Sequence, residues 1–186
     1  PWWSFAPGDK FVYFEAEECT LGIVDVLPWV DPFDKEVKGV RVQTVLDREY
    51  EYIGEDEDCD DGVADYANPD EGSWELLEIT YDWYAQDDGG NVWYFGEDSV
   101  AFDHDNDCDH WVTDEEHPED GCRDGSWEAG FDIWDEEIDL EILEGIIMLD
   151  EPEKGQFYFQ EYWEDEATDM AKVLNLKPVD DTIYGD

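Results

Sequence analysis

The sequence predicts a mainly β protein: a single antiparallel β-sheet, sandwich or barrel-like domain over residues 1–186, with one short helix and long acidic loops. Three observations carry this expectation. Segments rich in Val, Ile, Tyr, Phe, Trp and Thr recur along the whole chain. Several alternate with period two, as strands with one buried face do. Two aromatic segments flank a Gly-Gly-Asn turn, the strongest local hairpin signal present.

Taken in order, strands are expected in KFVYFEAEE (10–18), VKGVRVQTVLDREYEYI (37–53), WELLEITYDWYAQ (74–86), NVWYFGE (91–97), GQFYFQEYW (155–163) and MAKVLNL (170–176). In GVRVQTV, strict alternation places Val40, Val42 and Thr44 on one face and Arg41, Gln43 and Val45 on the other. The hairpin runs through TYDWYAQDDGGNVWYFGED, with its turn at 87–91. Gly89 and Gly90 accept positive φ at no steric cost, and Asn91 tolerates it. The helix is expected over DEEIDLEILEG (135–145). Ile138 and Ile142 are four apart, acids fill the first turn and Gly145 is a stop signal. Its acids also run to the C-terminal end, against the helix dipole. The C-terminal half shows no linker, and no internal repeat is visible.

Charge dominates the composition. Asp and Glu number 56 against nine Lys and Arg, for a formal net charge of -47. Such a balance usually marks disorder, yet 41% hydrophobic residues and ten Trp support a packed core. Two carboxylates about 6 Å apart in water repel by roughly 0.7 kcal/mol. Dozens of such pairs exceed the ~5–15 kcal/mol that holds a domain together. Molar salt, divalent cations or a basic partner must offset them. Nucleic acid is excluded as a partner, because phosphate contacts need Lys and Arg, and an anionic membrane surface is excluded for the same reason. No apolar run approaches the ~20 residues of a membrane span. The opening PWWSFAPGDK carries no signal-peptide pattern and reads as a mature, processed N-terminus.

Four cysteines permit two disulfides. Cys108 and Cys122 lie close in sequence and bracket an acidic segment, which favours their pairing and leaves Cys19 with Cys59. The alternative is four buried thiols. Bridged cysteines place the chain outside the cytoplasm, in an extracellular or cell-surface setting.

Two acidic clusters have ligand spacing. In DHDNDCDHWVTD, counting from Asp103 puts Asp103, Asp105, Asp107, Asp109 and Asp114 at positions 1, 3, 5, 7 and 12 of an EF-hand-like calcium loop. Cys108 stands where the EF-hand needs Gly, and Asp114 replaces the bidentate Glu, so the pattern is a DxDxD loop rather than an EF-hand. In EDEDCDDG, Asp56, Asp58 and Asp60 alternate, Gly62 supplies a turn and Asp65 follows. Both clusters read as Ca²⁺ sites against the alternative of solvated acidic loops, and each contains a cysteine that can brace it. QDDGGN (86–91) reads as a turn only. Zn²⁺ is disfavoured: His104, Cys108, His110, His117 and Cys122 share a span but lack Cys-x₂₋₄-Cys spacing. No nucleophile, phosphate-loop or metalloprotease motif appears, and with 56 acids a carboxylate pair at glycosidase spacing is uninformative. The expectation is a non-enzyme. No Asn-x-Ser/Thr sequon is present, which leaves O-linked glycans open.

The stretches 80–98, DGSWEAG (124–130) and 145–174, together with FAPGDKFVYFEAE (5–17), resemble a family of secreted bacterial proteins, some lipid-anchored, without assigned activity. Its members share a Trp-Tyr-Ala-Gln-Asp strand, a Gly-Asn turn, a Val-Trp-Tyr-Phe-Gly-Glu strand and a Gly-Ser-Trp-Glu-Ala-Gly motif. The resemblance covers about two thirds of the chain. It implies a secreted or surface β-rich domain and transfers no catalytic residues. The chain departs from the family in acidic insertions at about 55–71 and 103–122, and in stopping at DDTIYGD where relatives continue with further strands. A missing strand leaves an open sheet edge that a second copy can fill. The combined expectation is an extracellular structural or surface protein with Ca²⁺-binding loops. It self-associates as a homo-oligomer or fibre by strand exchange. The alternatives are a carbohydrate-binding surface module and a halophile-adapted secreted domain without specific metal sites.

Overall fold

The computed structural model describes residues 5–15, 19–54, 59, 73–102, 108–112, 121–164 and 167–176. The chain is mainly β, as its composition predicts. Strands β1 (Lys10–Glu15), β2 (Thr20–Val26), β5 (Gln43–Tyr52), β6 (Trp74–Gln86) and β7 (Val92–Ala101) lie side by side in that order, every pair antiparallel. β9 (Gly121–Cys122) and β8 (Trp111–Val112) extend the sheet beyond β7. The short β10 (Trp127–Glu128) and β11 (Gly145–Met148) also pair with β7 at other points along it. β3 (Glu36–Val37) with β4 (Val40–Arg41) forms one small ribbon, and β12 (Phe157–Trp163) with β13 (Ala167–Lys172) another.

The β6 bounds coincide with the expected segment, and the 87–91 turn joins β6 to β7. There the Asp87 N–H donates to the Asn91 carbonyl and Gly90 takes φ +101°, while Asp87 accepts from the Asn91 side chain and from Trp93 Nε1. The expected strand 37–53 is split at Val42. Val40 is exposed, whereas Gln43, Thr44 and Val45 are buried on both faces of the strand. Burial of Gln43 is tolerated because its Nε2 donates to the carbonyls of Leu27 and Thr44.

The helix expected over 135–145 does not form, and no helix forms among the described residues. Residues 133–136 make a turn closed by the Asp132–Glu137 bridge, with Trp134 and Asp135 N–H groups donating to the Asp132 carboxylate. Glu136 takes φ +55°. Ile142 is fully buried while Ile138 is 78% exposed, so the i,i+4 pair never shares a face. Acids along the whole segment removed the electrostatic support a helix C-terminus needs, and one Ile side chain alone could not anchor a short helix.

Two apolar clusters hold the sheet. The larger gathers Val42, Trp83, Phe95, Trp127, Ile142 and Trp163. The smaller gathers Leu21, Ile23, Tyr50 and Trp74 on β2, β5 and β6. Both disulfides pair as expected: Cys19–Cys59 with Cα atoms 5.8 Å apart and Cys108–Cys122 with 5.9 Å. The few cations are engaged singly. Lys35 meets Glu128, Lys38 meets Glu144, Arg41 meets Asp34, Arg48 meets Asp25 and Arg123 meets Asp98.

Candidate functional site

The site is built by register. On β5, Asp47 and Glu49 point to one face; on β6, Glu78, Thr80, Asp82 and Tyr84 do so at every second residue. Cross-strand pairing then sets Glu49 opposite Glu78 and Asp82 opposite Glu97. Like charges directly opposite one another destabilise a sheet, yet these residues line one cavity of about 360 Å³ together with Thr20 and Gly22. No Lys, Arg or His lines it among the described residues.

A bulge completes it. Between the Asp82–Glu97 and Tyr84–Tyr94 pairs, β6 contributes Trp83 alone whereas β7 contributes Phe95 and Gly96. The extra residue lets Tyr94 and Glu97, three apart, turn to the same side. Gly96 sits there at φ +127°, and a Cβ on it would lie 2.2 Å from the Trp127 carbonyl oxygen. Only glycine lets β10 approach so closely.

Tyr94 Oη lies 2.6 Å from Asp82 Oδ1 and 2.5 Å from Glu97 Oε2. Its ring stacks on Tyr84 at 4.8 Å and meets Trp127 edge-on at 5.4 Å. Asp82 is 8% exposed. Burial is the main cause that raises its carboxyl to about 7, opposed by the hydrogen bond from Tyr94 and reinforced by Asp47. Burial likewise raises Glu97 to about 8, with Asp82 and Glu161 adding repulsion. Asp47 and Glu161 are also pushed up, both chiefly by desolvation, and the Tyr84 and Tyr94 hydroxyls are held protonated far above the usual phenol range. The arrangement can hold protons inside a sheet at neutral pH.

Of the sequence-predicted calcium ligands, only Asp109 is among the described residues. Asp56, Asp58, Asp60, Asp65, Asp103, Asp105, Asp107 and Asp114 lie outside the described residues. Asp109 is exposed, and its N–H donates to Asp124 Oδ2 at 3.0 Å, beside the His110 N–H, which donates to Oδ1 at 2.9 Å. The His110 ring stacks on Trp134 at 3.6 Å, and its Nδ1 lies 3.0 Å from Asp124 Oδ1. Asp124 also lies near the sulfurs of Cys108 and Cys122, but those sulfurs are bonded to each other and are not thiolate ligands.

A second pocket of about 300 Å³ opens near the 87–91 turn. Val40, Trp93 and Phe95 give it an apolar wall, and Gln86, Asp87 and Glu144 a polar one.

No protein-family model, curated protein or solved structure matches the chain. Sequence reasoning missed the acidic cavity, although the signal was present: Asp47-x-Glu49 and Glu78-x-Thr80-x-Asp82-x-Tyr84 put polar groups at every second position of two long strands.

Proposed function

We propose that the protein is an extracellular structural or surface protein, non-enzymatic, whose acidic loops bind Ca²⁺ and which self-associates through open sheet edges. The observation that carries this reading is the pair of disulfides placed at the two acidic clusters: Cys59 lies within one and Cys108 within the other. Such bonds persist in oxidising compartments, and they hold together loops that carboxylate repulsion would open. Among the described residues no helix is long and apolar enough to cross a membrane. The edges that would serve assembly are β1 and β13, each paired on one side only among the described residues. β1 exposes Val12 and Tyr13, and β13 exposes Met170 beside Phe159 of β12. The resemblance to secreted bacterial proteins points the same way.

Chelation tests the calcium reading. At constant ionic strength, EDTA should lower the melting temperature sharply, and added CaCl₂ should restore it. An unchanged melting temperature, with only molar salt stabilising, would instead establish halophilic acidity.

The second reading, a carbohydrate-binding module, is favoured by the pocket beside the turn, where Trp93 offers ring surface next to Gln86 and Glu144. Glycan-array binding that disappears in Trp93→Ala would select it.

A further inference from the structure

We infer that Asp82 and Glu97 hold one shared proton through the Tyr94 hydroxyl, and that losing this proton loosens the central sheet, which makes the cavity a pH-sensitive device built into the fold. The geometry requires the proton. Tyr94 Oη stands within hydrogen-bond distance of both carboxyls, at 2.6 and 2.5 Å, but a phenol has a single hydrogen. It donates that hydrogen to one carboxyl. The other contact is a hydrogen bond only if the second carboxyl is protonated and donates to Oη. With both carboxyls ionised, one oxygen pair would face each other with no hydrogen between them, in a buried site where Tyr94 is 3% and Asp82 8% exposed.

Among the described residues, no cation lines the cavity around the pair. From β5 it faces Asp47 and Glu49; from β6, Glu78 and the Tyr84 hydroxyl; from β12, Glu161, itself beside Asp169 of β13. β9 and β11 carry no charged side chain, and Glu128 of β10 is held by Lys35. Arg48 is bound to Asp25, and Arg123 to Asp98. The proton is therefore what neutralises the site. The raised pKa values of Asp82 and Glu97, about 7 and about 8, agree with this geometry.

The direction of the pH effect follows from linkage. Unfolded, both groups release their protons near pH 4; folded, the pair keeps its one shared proton until pH reaches the raised range of about 7 to about 8. Between those limits the folded state binds more protons, so stability is full below about pH 4, falls as pH rises and levels off above about pH 8. Surface carboxylates, already ionised at neutral pH, do not produce such a slope.

Infrared spectroscopy of the whole protein in metal-free buffer tests this without mutation. A protonated-carboxyl C=O band should be present near pH 6 and vanish by about pH 9. Over the same interval the melting temperature should fall by about 5–10 °C. Glu97→Gln, whose amide can donate to Tyr94 Oη in place of the carboxyl, should remove the band and flatten the slope. Glu161→Gln should retain both. A parent protein without the band near pH 6 overturns the inference, and so does a Glu97→Gln variant with the parental slope. If Glu97→Gln does not fold, the parental band decides alone. Neither outcome depends on the calcium response, so the two readings fail separately.

Discussion

Asp82 and Asp87 stand on the same hairpin, one inside β6 and the other opening the turn that follows, and they hold their protons at opposite extremes. Asp87 is fully exposed. The Asn91 side chain and Trp93 Nε1 donate to it, and its carboxyl drops to about 2. Asp82 also accepts hydrogen bonds, from Tyr94 and Tyr84, yet rises to about 7, because burial outweighs them. The difference teaches that hydrogen bonding alone does not set a carboxyl's charge. Donors in water stabilise the anion almost without cost. Donors in a desolvated, all-acidic cavity leave most of the desolvation penalty in place.

The comparison can be broken first at Gly96, whose bulge turns Tyr94 and Glu97 to the same side. Gly96→Ala should destabilise by about 3 kcal/mol or more, because the new Cβ collides with the Trp127 carbonyl at a φ that L-residues avoid. A denaturant titration should show the midpoint shift, with Asp87 and its turn unaffected in NMR shifts. Tyr94→Phe removes only the shared hydroxyl. It should cost about 1–3 kcal/mol in chemical unfolding near pH 6, since the buried Asp82 and the half-buried Glu97 lose their common partner. Asp87→Ala sharpens the contrast with the smallest change, within the range of ordinary surface substitutions. Its folded-state pKa is lowered, so its contribution is present above about pH 4 and lost as pH falls through about 2. Melting curves of Asp87→Ala and the parent should therefore differ equally near pH 6 and near pH 9, and converge in strong acid.

Much of the sheet was legible in the sequence. Trp74–Gln86 and the Gly-Gly-Asn turn announced themselves because period-two alternation and glycine chemistry are local properties. β2 (Thr20–Val26) was missed: it is flanked by Cys19 at φ +54° and broken by Gly22, so neither end carries a familiar strand boundary. The 135–145 helix failed because Ile138 and Ile142 match a helical period that the surrounding acids do not support. The cavity was hidden for a compositional reason. In a chain with 56 acids, an acid at every second strand position looks like a solvated face. What buries that face is long-range: β7 arriving with a bulge, and β12 bringing Glu161 alongside.

The ladder between β5 and β6 ends at the Tyr52–Trp74 pair, whose rings meet edge-on at 5.4 Å, with the Ile53 N–H donating to the Ser73 carbonyl just beyond it. Chain leaves and re-enters the sheet through a doorway of fixed width. Lengthening the connection between 53 and 73 then adds only slowly growing closure entropy, about 0.6 kcal/mol for each doubling. The doorway is thus a port for grafting on its downstream side: a foreign peptide inserted between 66 and 73 would leave the Cys19–Cys59 bond and the register of the flanking strands in place.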